Sequence, residues 1–105
     1  MTRDETPDVR VFLRGVGTGI RFVIRNMGAA PAHDVQFEIA PLSGKNSPLV
    51  SSEYEAKIPI AKLEPDEECE LAAVVTTGTG IEFTGHLSWR DPDGTGHKVE
   101  ALLSV

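Results

Sequence analysis

Asp34-Val35-Gln36-Phe37-Glu38-Ile39 alternates polar and apolar residues without a break, and this stretch decides the fold class. Successive side chains of a strand point to opposite faces, so Val35, Phe37 and Ile39 share a buried face while Asp34, Gln36 and Glu38 meet water. The same period of two continues in both directions. Upstream, Ile20, Phe22 and Ile24 alternate with Arg21, Val23 and Arg25 and stop at Asn26-Met27-Gly28. Before them, Val9, Val11 and Leu13 alternate with Arg10, Phe12 and Arg14 and stop at Gly15-Val16-Gly17-Thr18-Gly19. Downstream, Cys69, Leu71, Ala73 and Val75 form one inward row, Phe83, Gly85, Leu87 and Trp89 a second, and Val99, Ala101 and Leu103 a third. Each reads as a half-buried antiparallel strand.

Turn-forming residues separate these runs. Asp91-Pro92-Asp93-Gly94 joins proline, which presets φ, to a glycine able to take positive φ. Asn26 is placed to bond its own backbone two residues on, with Gly28 free to take positive φ. Ile58 and Ile60 flank Pro59, and a proline inside a strand confines it to a sheet edge. Residues 41 to 56, with two prolines, Gly44, Asn46 and four serines, read as a long loop holding a short edge strand at Leu49-Val50. The sum is about seven strands and no long helix, which predicts an all-β, immunoglobulin-like antiparallel sandwich with a small barrel as the runner-up. In domain terms, residues 1–8 read as a flexible N-terminal segment and residues 9–105 as one sandwich.

Composition bounds the function. The chain has 105 residues, of which 40% are hydrophobic and 25% charged, and no apolar run nears the roughly 20 residues that span a bilayer. Its formal charge of −6 repels a phosphate backbone, so nucleic acid is not an expected partner despite the cluster Arg10, Arg14, Arg21 and Arg25. With Cys69 alone, no internal disulfide forms. A whole gene product with this polar N-terminus would stay in the cytoplasm, whereas a segment of a longer protein would follow that protein to the cell surface or beyond.

Two stretches together resemble a known family. Phe22-Val23-Ile24-Arg25-Asn26-Met27-Gly28-Ala29-Ala30-Pro31-Ala32-His33-Asp34-Val35 is similar to the "strand, Asn-x-Gly, small residues, Ala-x-x-Val, strand" signature of bacterial and archaeal immunoglobulin-like modules of the CARDB (cell-adhesion-related) kind. Ile58-Pro59-Ile60-Ala61-Lys62-Leu63-Glu64-Pro65-Asp66-Glu67-Glu68 resembles their "apolar strand, Leu-x-Pro-Gly-Glu" turn, with Asp66 standing where the pattern has glycine. The resemblance implies a repeated spacer or accessory domain and carries no catalytic residue across. The antibody framework is absent, since there is no cysteine pair and Trp89 falls on the sixth strand.

Candidate chemistry is thin. His33, His86 and His97 lack a recognised zinc-ligand spacing and read as solvated surface side chains. Asp91-Pro92-Asp93-Gly94 begins like a calcium loop, but the position that needs a bidentate glutamate is Leu102. The glycine-rich stretch at 15–19 leads into a strand rather than a helix, so it reads as a hairpin connection and not a phosphate cradle. There is no G-x-S-x-G elbow. No catalytic residue, cofactor or metal is expected.

The reading is a non-catalytic protein-interaction or spacer module acting through an exposed sheet edge or the loop at 41–56, with an unidentified protein or flanking domains as partner. Its candidate surface is Phe12, Val23, Leu49 and Tyr54, the first two forming a small exposed apolar patch. An accessory carbohydrate-binding module of a secreted enzyme is the alternative, requiring Trp89 or Tyr54 to be exposed. Self-association through sheet edges is a third possibility.

Overall fold

The computed structural model describes residues 6–17 and 19–105. Strands β1 (Val9–Val16), β2 (Gly19–Asn26), β3 (Ala32–Pro41), β4 (Ile60–Leu63), β5 (Glu68–Ala73), β6 (Glu82–Arg90) and β7 (Gly96–Ser104) build two sheets, and one helix, α1 (Ser51–Lys57), precedes β4. One sheet has the order β1-β2-β5 and the other β4-β3-β6-β7, with antiparallel pairing throughout. This is the two-sheet sandwich that the alternation predicts. β4 lies at a sheet edge, as its neighbouring Pro59 requires.

The inward rows meet between the sheets. Phe22 is the hub, with its ring centroid 6.1 Å from Phe37 and 6.0 Å from Phe83, the latter edge-on. Such pairs contribute about 0.5–1.5 kcal/mol beyond their buried area. Ile24, Val35, Leu63, Leu71, Leu87 and Trp89 complete the core around them.

Asn26 ties one end of the sandwich together. Its Nδ2 donates to the carbonyls of Ala30 at 2.8 Å and Leu63 at 2.9 Å, and its Oδ1 accepts from the amides of Gly28 at 2.9 Å and Asp8 at 3.1 Å. An amide offers two donors and two acceptor sites, so every one is used. The bond to Gly28 is the turn contact read from the sequence. Gly28 itself does not take positive φ. It is needed because a Cβ there would stand 2.2 Å from the Thr6 carbonyl oxygen, where the N-terminal segment crosses the turn. Ala29 donates to that same carbonyl at 3.0 Å, and Pro7 is buried. Ordered packing therefore begins before Val9, while residues 1–5 lie outside the described residues.

The long loop is the other revision. Residues 51–57 of the 41–56 loop region and its neighbour form α1, two turns with no side-chain N-cap. Seven residues are too few to print a helical period, and the preceding prolines and serines mask it. Leu49 makes one antiparallel bridge to Ala73, so the short edge strand is present as a single rung beside β5.

Candidate interaction surface

The outer face of the three-stranded sheet is a grid of nine positions. Register places Arg10, Arg25 and Glu68 in one row, Phe12, Val23 and Glu70 in the next, and Arg14, Arg21 and Ala72 in the third. Arg14, at one corner, reaches Glu68 at the opposite corner with 3.0 and 3.2 Å bonds and Glu70 at 3.2 Å. Its side chain must cross the centre of the grid, where Val23 sits. Val23 is accordingly 0% exposed, which corrects the exposed Phe12–Val23 patch. Long basic side chains cover apolar surface with their stems while the head stays in water. Phe12 is half-buried with the Arg14 guanidinium 5.5 Å from its ring centroid. Arg25 adds contacts to Glu68 at 3.2 Å and Asp66 at 3.3 Å. The bonds from Arg14 hold the Glu68 carboxyl below the usual carboxylate range. Arg10, Arg14 and Arg25 of the basic cluster are thus paired with neighbouring carboxylates.

The other two candidates serve the fold. Tyr54 on α1 is half-buried and its hydroxyl donates to the Phe37 carbonyl. Burial raises its pKa. Leu49 is half-buried and packs against the core. Neither stands out as a docking residue, and Phe12, Val23, Leu49 and Tyr54 do not form one patch.

Trp89 is 5% exposed, so it offers no flat platform to a sugar ring. His97 stacks on it, with centroids 5.7 Å apart and planes at 24°. The His97 Nε2 lies 2.9 Å from Asp91 Oδ2 but outside hydrogen-bond geometry. His97 is therefore half-buried and engaged, unlike the solvated histidine read from sequence. His86 does lie on the outer face, in a row with Glu38 and Glu100. That row floors an open depression of about 730 Å³ also lined by Gln36, Ser88 and Lys98. Among the described residues no three His, Cys, Asp or Glu side chains are grouped to hold a metal ion. Burial raises the pKa of the half-buried Cys69 thiol, away from the thiolate that nucleophilic chemistry needs. The Asp91–Gly94 stretch is a plain hairpin turn, with Gly94 at φ 93° and its amide on the Asp91 carbonyl at 2.9 Å.

The sheet edges are the remaining surface, and hydrogen-bond parity shows which backbone groups two of them, β7 and β5, present. In an antiparallel ladder alternate residues point their N–H and C=O toward and away from the neighbour. At one end of the β6–β7 ladder the Val105 amide donates to Ile81, and at the other the Asp91 amide donates to Thr95, both at 2.8 Å. The register between is unbroken. Odd-numbered residues of β7 therefore face β6, and Gly96, Lys98, Glu100, Leu102 and Ser104 turn their N–H and C=O outward. Among the described residues nothing pairs with that side. Leu102 is 77% exposed and Val99, on the inward row, 37%.

β5 presents its even-numbered residues, and at Glu70 and Ala72 partners cap them. The Asn26 amide donates to the Glu67 carbonyl, which puts odd residues toward β2. On the outer side the Glu53 carboxylate accepts from the Ala72 amide at 2.9 Å, Val50 donates to the Ala72 carbonyl at 3.3 Å, and Lys57 Nζ donates to the Glu70 carbonyl at 2.7 Å. Glu53 and Lys57, 3.1 Å apart, hold each other in place one helical turn apart. The amide of Ala72 and the ammonium of Lys57 hold the Glu53 carboxyl below the usual range. No signal in the sequence marks these two residues as edge caps, because their targets are backbone groups distant in the chain.

No helix of the described residues is long and apolar enough to cross a membrane. The family described as "Domain of unknown function (DUF8453)" matches residues 1–105. No curated protein and no solved structure matches the chain.

Proposed function

The chain belongs to the DUF8453 family, and we propose that it is a non-catalytic, immunoglobulin-like interaction module that captures an extended segment of another protein along β7. The observation that carries this reading is the contrast between edges: on β5 the Ala72 amide and the Glu70 carbonyl are capped by Glu53 and Lys57 of α1 and the Ala72 carbonyl by the Val50 amide, whereas among the described residues the even-numbered residues of β7 have none of their outward groups paired. An added strand gains main-chain hydrogen bonds for affinity and side-chain complementarity for specificity. Leu102 supplies an apolar contact on the outer face, and Val99 a second on the inner face.

The immunoglobulin-like reading is supported by the partition of strands. In the constant-type sandwich the fourth strand pairs beside the fifth. Here β4 pairs with β3 instead, a move that suits its four-residue length and edge-confining proline.

The test is capture from source-cell lysate on the immobilised domain, comparing wild type with Leu102→Pro. Proline at 102 removes an outward N–H and leaves the β6 ladder whole. A partner that saturates on wild type and is lost on the folded variant supports the reading. Equal capture by both proteins, or none by either, overturns it.

A further inference from the structure

The same edge is complementary to itself in one register. We infer that a second copy of this chain pairs antiparallel with β7 about a two-fold axis at Val99, so that Lys98 of each copy faces Glu100 of the other; this rests on the reading of β7 as the binding edge. Only even-numbered residues present their N–H and C=O outward, so permitted antiparallel registers differ by steps that keep even residues opposite even ones. The register on one side of this one puts Lys98 opposite Lys98, and the register on the other side puts Glu100 opposite Glu100. Like charges directly opposite destabilise a pair, and unlike charges favour it. The intermediate register is the one that makes two reciprocal ion pairs, as an isologous interface requires.

Charge across the whole face agrees. Glu38, His86 and Glu100 form one row and Gln36, Ser88 and Lys98 the next. The second copy's Lys98 would extend the acidic row, and its Glu100 the row that ends in Lys98. His86 Nδ1 lies 3.7 Å from Glu100, a looser contact than a direct pair would make.

The apolar contacts also fit. In this register Leu102 faces the second copy's Gly96, and a Cβ at Gly96 would meet nothing within 4 Å. The glycine thus leaves room for the leucine side chain. On the inward face Val99 meets its own copy and loses its exposure. There it would close the seam between β7 and β1, where Val11 and Leu13 pack against the core from the opposite sheet. The result is one continuous eight-stranded sheet, with both β7 edges abolished.

Sedimentation equilibrium at low ionic strength, over a wide range of protein concentration, reads the outcome. Wild type is expected to rise from the 11.3 kDa chain mass toward twice that value. Lys98→Glu and Glu100→Lys should each lower the dimer fraction, and the double variant carrying both should restore it. Amide NMR spectra check that each variant keeps the fold. A wild type that stays monomeric throughout overturns the inference, as does a double variant no better than the singles. Wild type that stays monomeric while Leu102→Pro still abolishes partner capture would remove the second copy and leave the edge reading standing. Unchanged capture by Leu102→Pro would remove the edge reading itself.

Discussion

β5 and β7 are both edge strands, yet the protein treats them in opposite ways. β5 turns the backbone of Glu68, Glu70 and Ala72 outward, and part of that edge is capped: the Glu70 carbonyl by Lys57, and the Ala72 amide and carbonyl by Glu53 and Val50. β7 carries Lys98, Glu100 and Leu102, with its outward backbone groups unpaired among the described residues. An open edge invites pairing with other chains, and proteins ordinarily blunt it with charge, proline, shortness or a covering element. This one sets a two-turn helix beside β5 and makes β4 four residues long, but among the described residues leaves the nine-residue β7, like the eight-residue edge strand β1 of the other sheet, without such a cover. On the proposed reading, the difference teaches that an open edge can be made selective by its own charges. Its two charges of opposite sign, next-but-one along the strand, reject most registers and admit few.

The largest effect should come from asking which side of β7 each amide faces. Ala101 donates toward β6 and Leu102 away from it. Ala101→Pro removes a ladder bond from the centre of the β6–β7 pair and should cost about 3 kcal/mol or more. Leu102→Pro removes only an outward amide and an exposed side chain, and should cost about 1 kcal/mol or less. Urea denaturation of the two variants decides it. Similar losses in both would mean that the parity assigned to β7 is wrong.

A smaller effect should follow from uncovering β5. Glu53→Ala leaves the Ala72 amide without its acceptor, so hydrogen exchange at Ala72 should accelerate while exchange in β6 stays unchanged. Acid reproduces the substitution. The Glu53 carboxyl is held below its ordinary range in the folded protein. Its contribution is therefore complete above the ordinary glutamate pKa of about 4.3 and fades as pH falls through the lower folded value. Exchange at Ala72, corrected for its intrinsic pH dependence, should rise in that window in wild type and stay level in Glu53→Ala. If β5 then begins to self-associate, the comparison with β7 is sharpened, since capping alone would separate the two edges.

Much of the sandwich was legible because its strands alternate so cleanly. Phe22, Phe37, Phe83 and Trp89 face inward as their positions in the period require. The surface was less legible, for physical reasons. Val23 sits on an outward row and reads as exposed, but period says nothing about an arginine reaching diagonally across two strands. Tyr54 reads as a loop residue because a two-turn helix leaves no periodic trace. Glu53 and Lys57 look like ordinary surface charges, and only the fold brings β5 backbone groups to them. Parity on β7 likewise needs the ladder's hydrogen bonds and not the sequence. What the sequence does show in advance is that Lys98 and Glu100 share one face.

The smallest expected effect concerns how the two edges are entered. The turn into β7 places Gly94 at φ 93°, and the turn into β5 places Asp66 at φ 66°. The first position has the residue that takes left-handed backbone without penalty; the second has an aspartate where the resembling pattern has glycine. Asp tolerates this region better than most residues, yet it still carries a steric cost that glycine lacks. The side chain returns little, since its contact with Arg25 at 3.3 Å is exposed, and such pairs contribute about 0–1 kcal/mol. The amide of Asp66 donates to the Asn26 carbonyl at 2.7 Å, a backbone bond that glycine keeps. Against the gain stands the greater freedom of glycine in the unfolded chain, so the balance is narrow. Asp66→Gly should therefore shift stability by about 0.5 kcal/mol or less, toward the more stable side, in urea denaturation. A loss of more than about 1 kcal/mol would mean that the Asp66 carboxylate anchors Arg25 over the β5 edge. The guard on that edge would then extend beyond α1 to the turn that leads into it.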